Sequence, residues 1–207
     1  MPKLLFLDID GVLLPHPPLL HTQCAVCFNH ATPQRTFVNN VNESERYPLC
    51  KECADTQSVP YAGDGEFPHR CLAALSHVIA ETGATIVLSS TWRVDTAAIG
   101  IIEAAFNEKG GALEGAMKCE YMTDPAHHSV RQHEIALWFD DAVHNPFRSD
   151  EITSWVAVDD DESIVEDGRF KGMFEGRAVV CDAQRGLTME GARRAVMCLN
   201  KERLKYV

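Results

Sequence analysis

Two carboxylates spaced i and i+2, Asp8 and Asp10, stand directly behind the apolar run Leu4-Leu5-Phe6-Leu7, and Gly11 follows them. Carboxylates beside a buried strand cost free energy unless a metal ion or a cationic side chain compensates them. Alone, the pair fits equally well a solvated turn in which both aspartates cap backbone amides. Two further polar sets stand behind apolar runs. Ser89-Ser90-Thr91-Trp92-Arg93 follows Thr85-Ile86-Val87-Leu88, and Asp159-Asp160-Asp161 follows Trp155-Val156-Ala157-Val158. The second acidic group by itself reads as a solvated turn. Three such sets behind three buried runs point instead to one shared crevice, where paired acids could hold a metal and hydroxyls could donate to an anion.

The elements that must bring these groups together follow from the apolar pattern. Unbroken apolar runs bounded by loop residues are expected of strands buried on both faces of a parallel sheet. Runs after Lys3, over 85–88 and over 155–158 fit this description, and Ala178-Val179-Val180-Cys181 makes a fourth, weaker strand. Helices are expected between them. Leu72, Leu75, Val78 and Ile79 share a face ahead of Gly83; Asp95 can cap a helix carrying Ile99, Ile102 and Phe106 that ends at Gly110-Gly111. Ser129 to Gln132 has the form of a capping box, opening a helix that buries Ile135, Trp138 and Phe139, and Thr188 caps a last helix with Ala192, Ala195, Val196 and Leu199. Residues 112–128 carry no pattern. The alternation implies an α/β fold, a Rossmann-like doubly wound parallel sheet. Ligands of such sheets bind at the carboxyl ends of the strands, so Asp8, Asp10, Ser89, Asp159 and Asp160 fall on one edge.

The chain of 207 residues suits one such domain with a modest insertion. The core is expected over 1–14 and 66–207, with the insertion over 15–65, placed directly after the first strand. With 19 basic and 30 acidic residues the net charge is −11, which argues against a long footprint on a nucleic-acid backbone but not against a site for a strand end. No apolar run approaches the ~20 residues of a membrane helix. The first strand begins without a charged leader, so a reducing, cytoplasmic setting is expected. The insertion carries Cys24-x-x-Cys27 and Cys50-x-x-Cys53. Four thiolates in two close pairs suit tetrahedral structural zinc, which would supply the folding energy that so few apolar residues cannot. Redox-active pairs are the alternative, and His21 or His30 could replace one cysteine. The remaining cysteines, 71, 119, 181 and 198, are expected to be buried small residues or free thiols. His127, His128 and His133 are expected to be surface residues.

The wording Leu7-Asp8-Ile9-Asp10-Gly11-Val12-Leu13, with Leu88-Ser89-Ser90-Thr91-Trp92-Arg93, Asp159-Asp160 and a late Arg185-Gly186-Leu187-Thr188, resembles the haloacid dehalogenase superfamily. It is similar to the phosphatase-like domains of Swiss Army Knife RNA-repair proteins. The resemblance spans most of the chain outside the insertion and implies a magnesium-dependent phosphohydrolase. In it Asp8 attacks phosphorus, giving an aspartyl-phosphate, while Asp10 protonates the leaving oxygen and then activates water. That second acid favours a phosphatase over a dehalogenase, since a halide needs no proton. Ser89 donates to a phosphoryl oxygen. Asp8, Asp159 and the backbone carbonyl of Asp10 would ligate magnesium, with Asp160 orienting a metal-bound water. Arg131 is the expected cation for the transferred charge, with Lys118 as its rival. Ser90 and Arg93 are further candidates for phosphate binding, although Arg93 could equally pair with a structural acid. Trp92 is expected to be core or crevice wall. The zinc insertion, at the cap position, would cover the crevice and select substrates. The subgroup points to phosphorylated RNA ends, with a small phosphometabolite or a phosphoprotein as the alternative substrate. A catalytically inactive, zinc-containing binding module is the rival from another class.

Overall fold

The computed structural model describes residues 2–15, 67–124, 130–140, 145–147, 151–165 and 170–201, with backbone alone at 36–38, 46–48 and 118–121. In chain order the strands are β1 (Lys3–Leu7), β2 (Thr36–Val38), β3 (Arg46–Pro48), β4 (Thr85–Leu88), β5 (Met117–Met122), β6 (Ser154–Asp159) and β7 (Ala178–Val180). The helices are α1 (His69–Thr82), α2 (Thr96–Lys109), α3 (Arg131–Asp140), the single turn α4 (Lys171–Phe174) and α5 (Met189–Asn200). Five strands form one sheet in the order β5-β4-β1-β6-β7, every pair parallel. β2 and β3 form a separate antiparallel ribbon within the expected insertion. The four cysteines expected to bind zinc lie outside the described residues.

Period-2 alternation along the central strands builds two cores. Leu5, Leu7, Ile86, Leu88, Val156 and Val158 face one side, where α1, α2 and α5 bring Leu75, Val78, Ile102, Phe106, Ala192 and Leu199. Leu4, Phe6, Val87, Trp155 and Ala157 face the other, against Ile135 and Trp138 of α3 and Phe174 of α4. Phe6 meets Trp138 edge-on at 5.1 Å, and Trp155 meets Phe174 at 5.1 Å. A sheet sandwiched between helices on both faces is the doubly wound α/β fold that the alternating pattern implies. Phe139 is half-buried rather than fully buried, packing against Phe6 at 5.5 Å.

The capping residues act as their chemistry suggests. Gly83 closes α1 with φ +63°, a left-handed conformation that costs a glycine nothing. Asp95 accepts from the Ala97 amide at the start of α2, and Thr188 from the Gly191 amide at the start of α5. Strand β5 is the element the sequence pattern misses. It is an edge strand reading Met-Lys-Cys-Glu-Tyr-Met, with a register shift against β4, so it shows no continuous apolar run. Cys71 and Cys181 are buried free thiols, and Cys198 is half-buried. Among the described residues no helix is long and apolar enough to cross a membrane.

Candidate active site

Strand register places the chemistry. Leu7 is level with Leu88 on one side and with Val158 on the other. The next residue of each strand is therefore Asp8, Ser89 or Asp159, and the three stand side by side at the carboxyl edge. The Ser89 amide donates to the Leu7 carbonyl at 3.0 Å and the Asp8 amide to the Val158 carbonyl at 3.1 Å, which continues the ladder to that edge. Beyond Asp8 the chain turns sharply: the amides of Val12, Leu13 and Leu14 all donate to the Ile9 carbonyl. Gly11 sits in this turn at φ +68°, and a Cβ there would lie 2.1 Å from Asp160 Oδ2. Glycine is thus required twice, by the backbone and by the Asp160 carboxylate lying over it. Gly11→Ala is expected to displace Asp160 and to weaken by about tenfold any magnesium that the three carboxylates hold, a strained backbone adding its own cost of ~1–3 kcal/mol. Calorimetric titration with magnesium checks this, and an unchanged affinity would show that Asp160 does not depend on that gap.

Asp8, Asp159 and Asp160 each offer a carboxylate oxygen, all lying within 4.8 Å of one another. Burial, and then the neighbouring Asp159, push the Asp8 carboxyl up to about 7 from its ordinary value near 3.8. Arg131, the Ser90 hydroxyl and the Ile9 amide oppose that rise. Burial likewise raises Asp159, against the pull of Arg131 and the Asp161 amide. Hard oxygen donors grouped this way, and left short of positive charge, fit a magnesium-type cation.

Arg131, the first residue of α3, reaches across this group. Its Nε donates to Asp159 Oδ2 at 2.6 Å and its NH2 to Asp8 Oδ1 at 3.2 Å, while NH1 donates to the Ser89 carbonyl and to Glu134 Oε2 at 2.8 Å. Burial opposes its charge, but Asp159, Asp8 and Glu134 outweigh burial and hold its pKa above the ordinary arginine value. The side chain of the rival, Lys118, lies outside the described residues. Ser89 is buried, and its Oγ has no hydrogen-bond partner among the described residues. A buried hydroxyl without a partner costs about 1–3 kcal/mol, a debt that a bound anion would remove.

Ser90, also buried, accepts from the Trp92 amide at 3.4 Å, and its hydroxyl helps hold the Asp8 carboxyl down. Arg93 is only 3% exposed: its NH1 donates to the carbonyls of Ser89 at 3.2 Å and Ser90 at 2.7 Å, and its NH2 pairs with Glu134 at 3.4 Å. The pairing with a structural acid, one of its two expected roles, is the one seen. A guanidinium committed to protein groups below the surface is poorly placed to receive a substrate phosphate.

Two partners escape the sequence pattern. Trp92 is more than crevice wall: its Nε1 donates to Asp10 Oδ2 at 3.1 Å, holding the carboxylate that follows the β1 turn. Glu134 joins Arg131 to Arg93. Its position three residues after Arg131 on a helix was the available signal, because side chains at that spacing are neighbours. Asp10 itself is outside the three-carboxylate group, its side chain being turned to Trp92.

A family model described as "HAD domain in Swiss Army Knife RNA repair proteins" matches residues 4–192. No curated protein matches the chain, and no solved structure does. The family match covers nearly the whole chain, every strand of the sheet and each of the carboxylates above, and the all-parallel sheet with its acidic carboxyl edge agrees with it. The chain belongs to the family of HAD domains found in Swiss Army Knife RNA repair proteins.

Proposed function

We propose that the chain is a magnesium-dependent phosphohydrolase that works through an aspartyl-phosphate on Asp8 and acts on phosphorylated RNA ends. The observation that carries this reading is the convergence of Asp8, Asp159 and Asp160 on one edge, with Arg131 bridging Asp8 and Asp159. A carboxylate nucleophile needs a neighbouring cation before it can approach an anionic ester, and here one is in contact.

Asp8, Asp159 and Asp160 would hold magnesium, which when bound offsets the repulsion between the nucleophile and the ester. The Asp8 carboxylate oxygen attacks phosphorus, the ester bond breaks, and the departing oxygen takes a proton from Asp10. Asp10, now a base, removes a proton from water; that water attacks phosphorus, the Asp8–phosphorus bond breaks, and phosphate leaves. Trp92 holds one Asp10 oxygen and leaves the other for proton transfer. Arg131 and the unpartnered Ser89 hydroxyl supply donors to the phosphoryl oxygens.

The family description supports RNA ends as the substrate class. A net charge of −11 agrees with engagement of an end rather than of a long strand. Release of phosphate from p-nitrophenyl phosphate and from 3′- and 5′-phosphorylated oligoribonucleotides, with and without magnesium, tests both levels of the proposal. No turnover with any divalent cation would remove the enzyme reading. Turnover of small phosphoesters alone would remove RNA.

Structural zinc on Cys24, Cys27, Cys50 and Cys53 completes the proposal, because a segment poor in apolar residues needs another source of folding energy. Protein purified without chelator is expected to carry one zinc per chain by elemental analysis, lost in Cys24→Ser and Cys50→Ser. A zinc-free wild-type protein would exclude the site.

A further inference from the structure

A guanidinium has five N–H donors in a rigid planar fork. Arg131 spends four of them within the protein: Nε on Asp159, the two NH1 hydrogens on the Ser89 carbonyl and Glu134, and one NH2 hydrogen on Asp8. Among the described residues one NH2 hydrogen has no partner and is left for a ligand, and because the fork is rigid its direction is set by the other four bonds. Two of the carboxylates that hold the fork, Asp8 and Asp159, are also members of the three-carboxylate group. Glu134 is not a member. It is 6% exposed and receives NH1 of Arg131 at 2.8 Å and NH2 of Arg93 at 3.4 Å. Arg93 in turn grips the carbonyls of Ser89 and Ser90.

We propose that Glu134 is a positioning residue: its carboxylate fixes the Arg131 fork so that the remaining NH2 hydrogen meets a phosphoryl oxygen. Glu134 keeps the fork in place when Asp8 and Asp159 turn part of their charge to a cation or a substrate. Through Arg93 it also ties helix α3 to the loop after β4, so that the guanidinium and the Ser89 hydroxyl keep one spacing. This inference rests on the phosphohydrolase reading, in which the ligand is a phosphoryl group.

A double-mutant cycle isolates the coupling. Inorganic phosphate is titrated calorimetrically in magnesium-containing buffer into wild type, Glu134→Gln, Arg131→Met and the double variant, with melting temperatures recorded alongside. Glu134→Gln is expected to weaken phosphate by about tenfold with Arg131 present, the scale of one charge-assisted hydrogen bond. In the Arg131→Met background the same change is expected to alter phosphate affinity less than twofold. Equal weakening in both backgrounds would overturn the proposal, since a structural role would not depend on Arg131. So would unchanged affinity in Glu134→Gln, or a wild type that does not bind phosphate. Where Glu134→Gln does not fold, Glu134→Asp, which keeps the charge but is one methylene short, takes its place with the same expectations. Turnover of p-nitrophenyl phosphate and of the phosphorylated oligoribonucleotides by wild type is scored separately: phosphate coupling without turnover of any of them would sustain the role of Glu134 in phosphate binding and sink the phosphohydrolase reading.

Discussion

Asp8→Asn is expected to abolish the proposed turnover, lowering kcat by roughly 10³-fold or more, because an amide cannot form the proposed covalent intermediate. The fold should survive. Asp8 is buried at the end of β1 but belongs to a site short of positive charge, so removing its charge relieves burial. The sign follows from linkage. Asp8 in the metal-free folded protein titrates near 7, above its ordinary value of 3.8, so between these pH values the folded state holds a proton that the unfolded state has lost. The stability associated with that proton is present below about pH 4 and disappears as pH rises to about 7. In metal-free protein the stability difference, wild type minus Asp8→Asn, should therefore fall across that window, by at most about 4 kcal/mol. Urea unfolding at several pH values in chelator measures it. Residual kcat within tenfold of wild type would assign the nucleophile elsewhere, and a flat difference curve would mean that Arg131 already satisfies Asp8.

Arg131→Ala is expected to damage both chemistry and stability. The site loses the donor in contact with Asp8, which should cost about 10²–10³-fold in kcat, the scale of removing one electrostatic stabiliser. The same change leaves Asp8, Asp159 and Glu134 buried without their shared cation. Breaking a buried ion pair by removing one partner costs about 3–5 kcal/mol. Magnesium should restore part of that loss by binding the folded state. Arg131→Lys should recover stability better than kcat, since an ammonium supplies charge but not a fork. Lys118→Ala, measured in parallel, should leave kcat within about twofold of wild type if Arg131 supplies the cation. If Lys118→Ala is instead the crippling change and Arg131→Ala is mild, the cation has been assigned to the wrong residue.

The reach of the sequence differs between elements for physical reasons. The three strands buried on both faces, β1, β4 and β6, announce themselves as apolar runs, and the edge strand β7 as a shorter one; β5 does not, because an edge strand can carry lysine and glutamate. Helix ends were visible through Gly83, Asp95 and Thr188, whose side chains or lack of one match what a terminus requires. Glu134 and the Asp10 contact of Trp92 were not visible as parts of a site. A buried glutamate on α3 looks in sequence like a solvated helix acid, and a tryptophan after β4 looks like core.

The one-dimensional pattern therefore determined the fold class and marked Asp8, Asp10, Asp159 and Asp160 as carboxylates at the carboxyl edge of the sheet. These follow from short-range rules of periodicity and spacing, which need no knowledge of neighbours. Only the tertiary structure decided that Asp8, Ser89 and Asp159 are level, because strand register depends on how whole elements pack. It also gave the expected cation its contacts and Arg93 a different role: Arg131 spans Asp8 and Asp159, while Arg93 is held beneath by Glu134 and backbone carbonyls. Charge alone made the two arginines equivalent; burial and the geometry of a rigid guanidinium separated them.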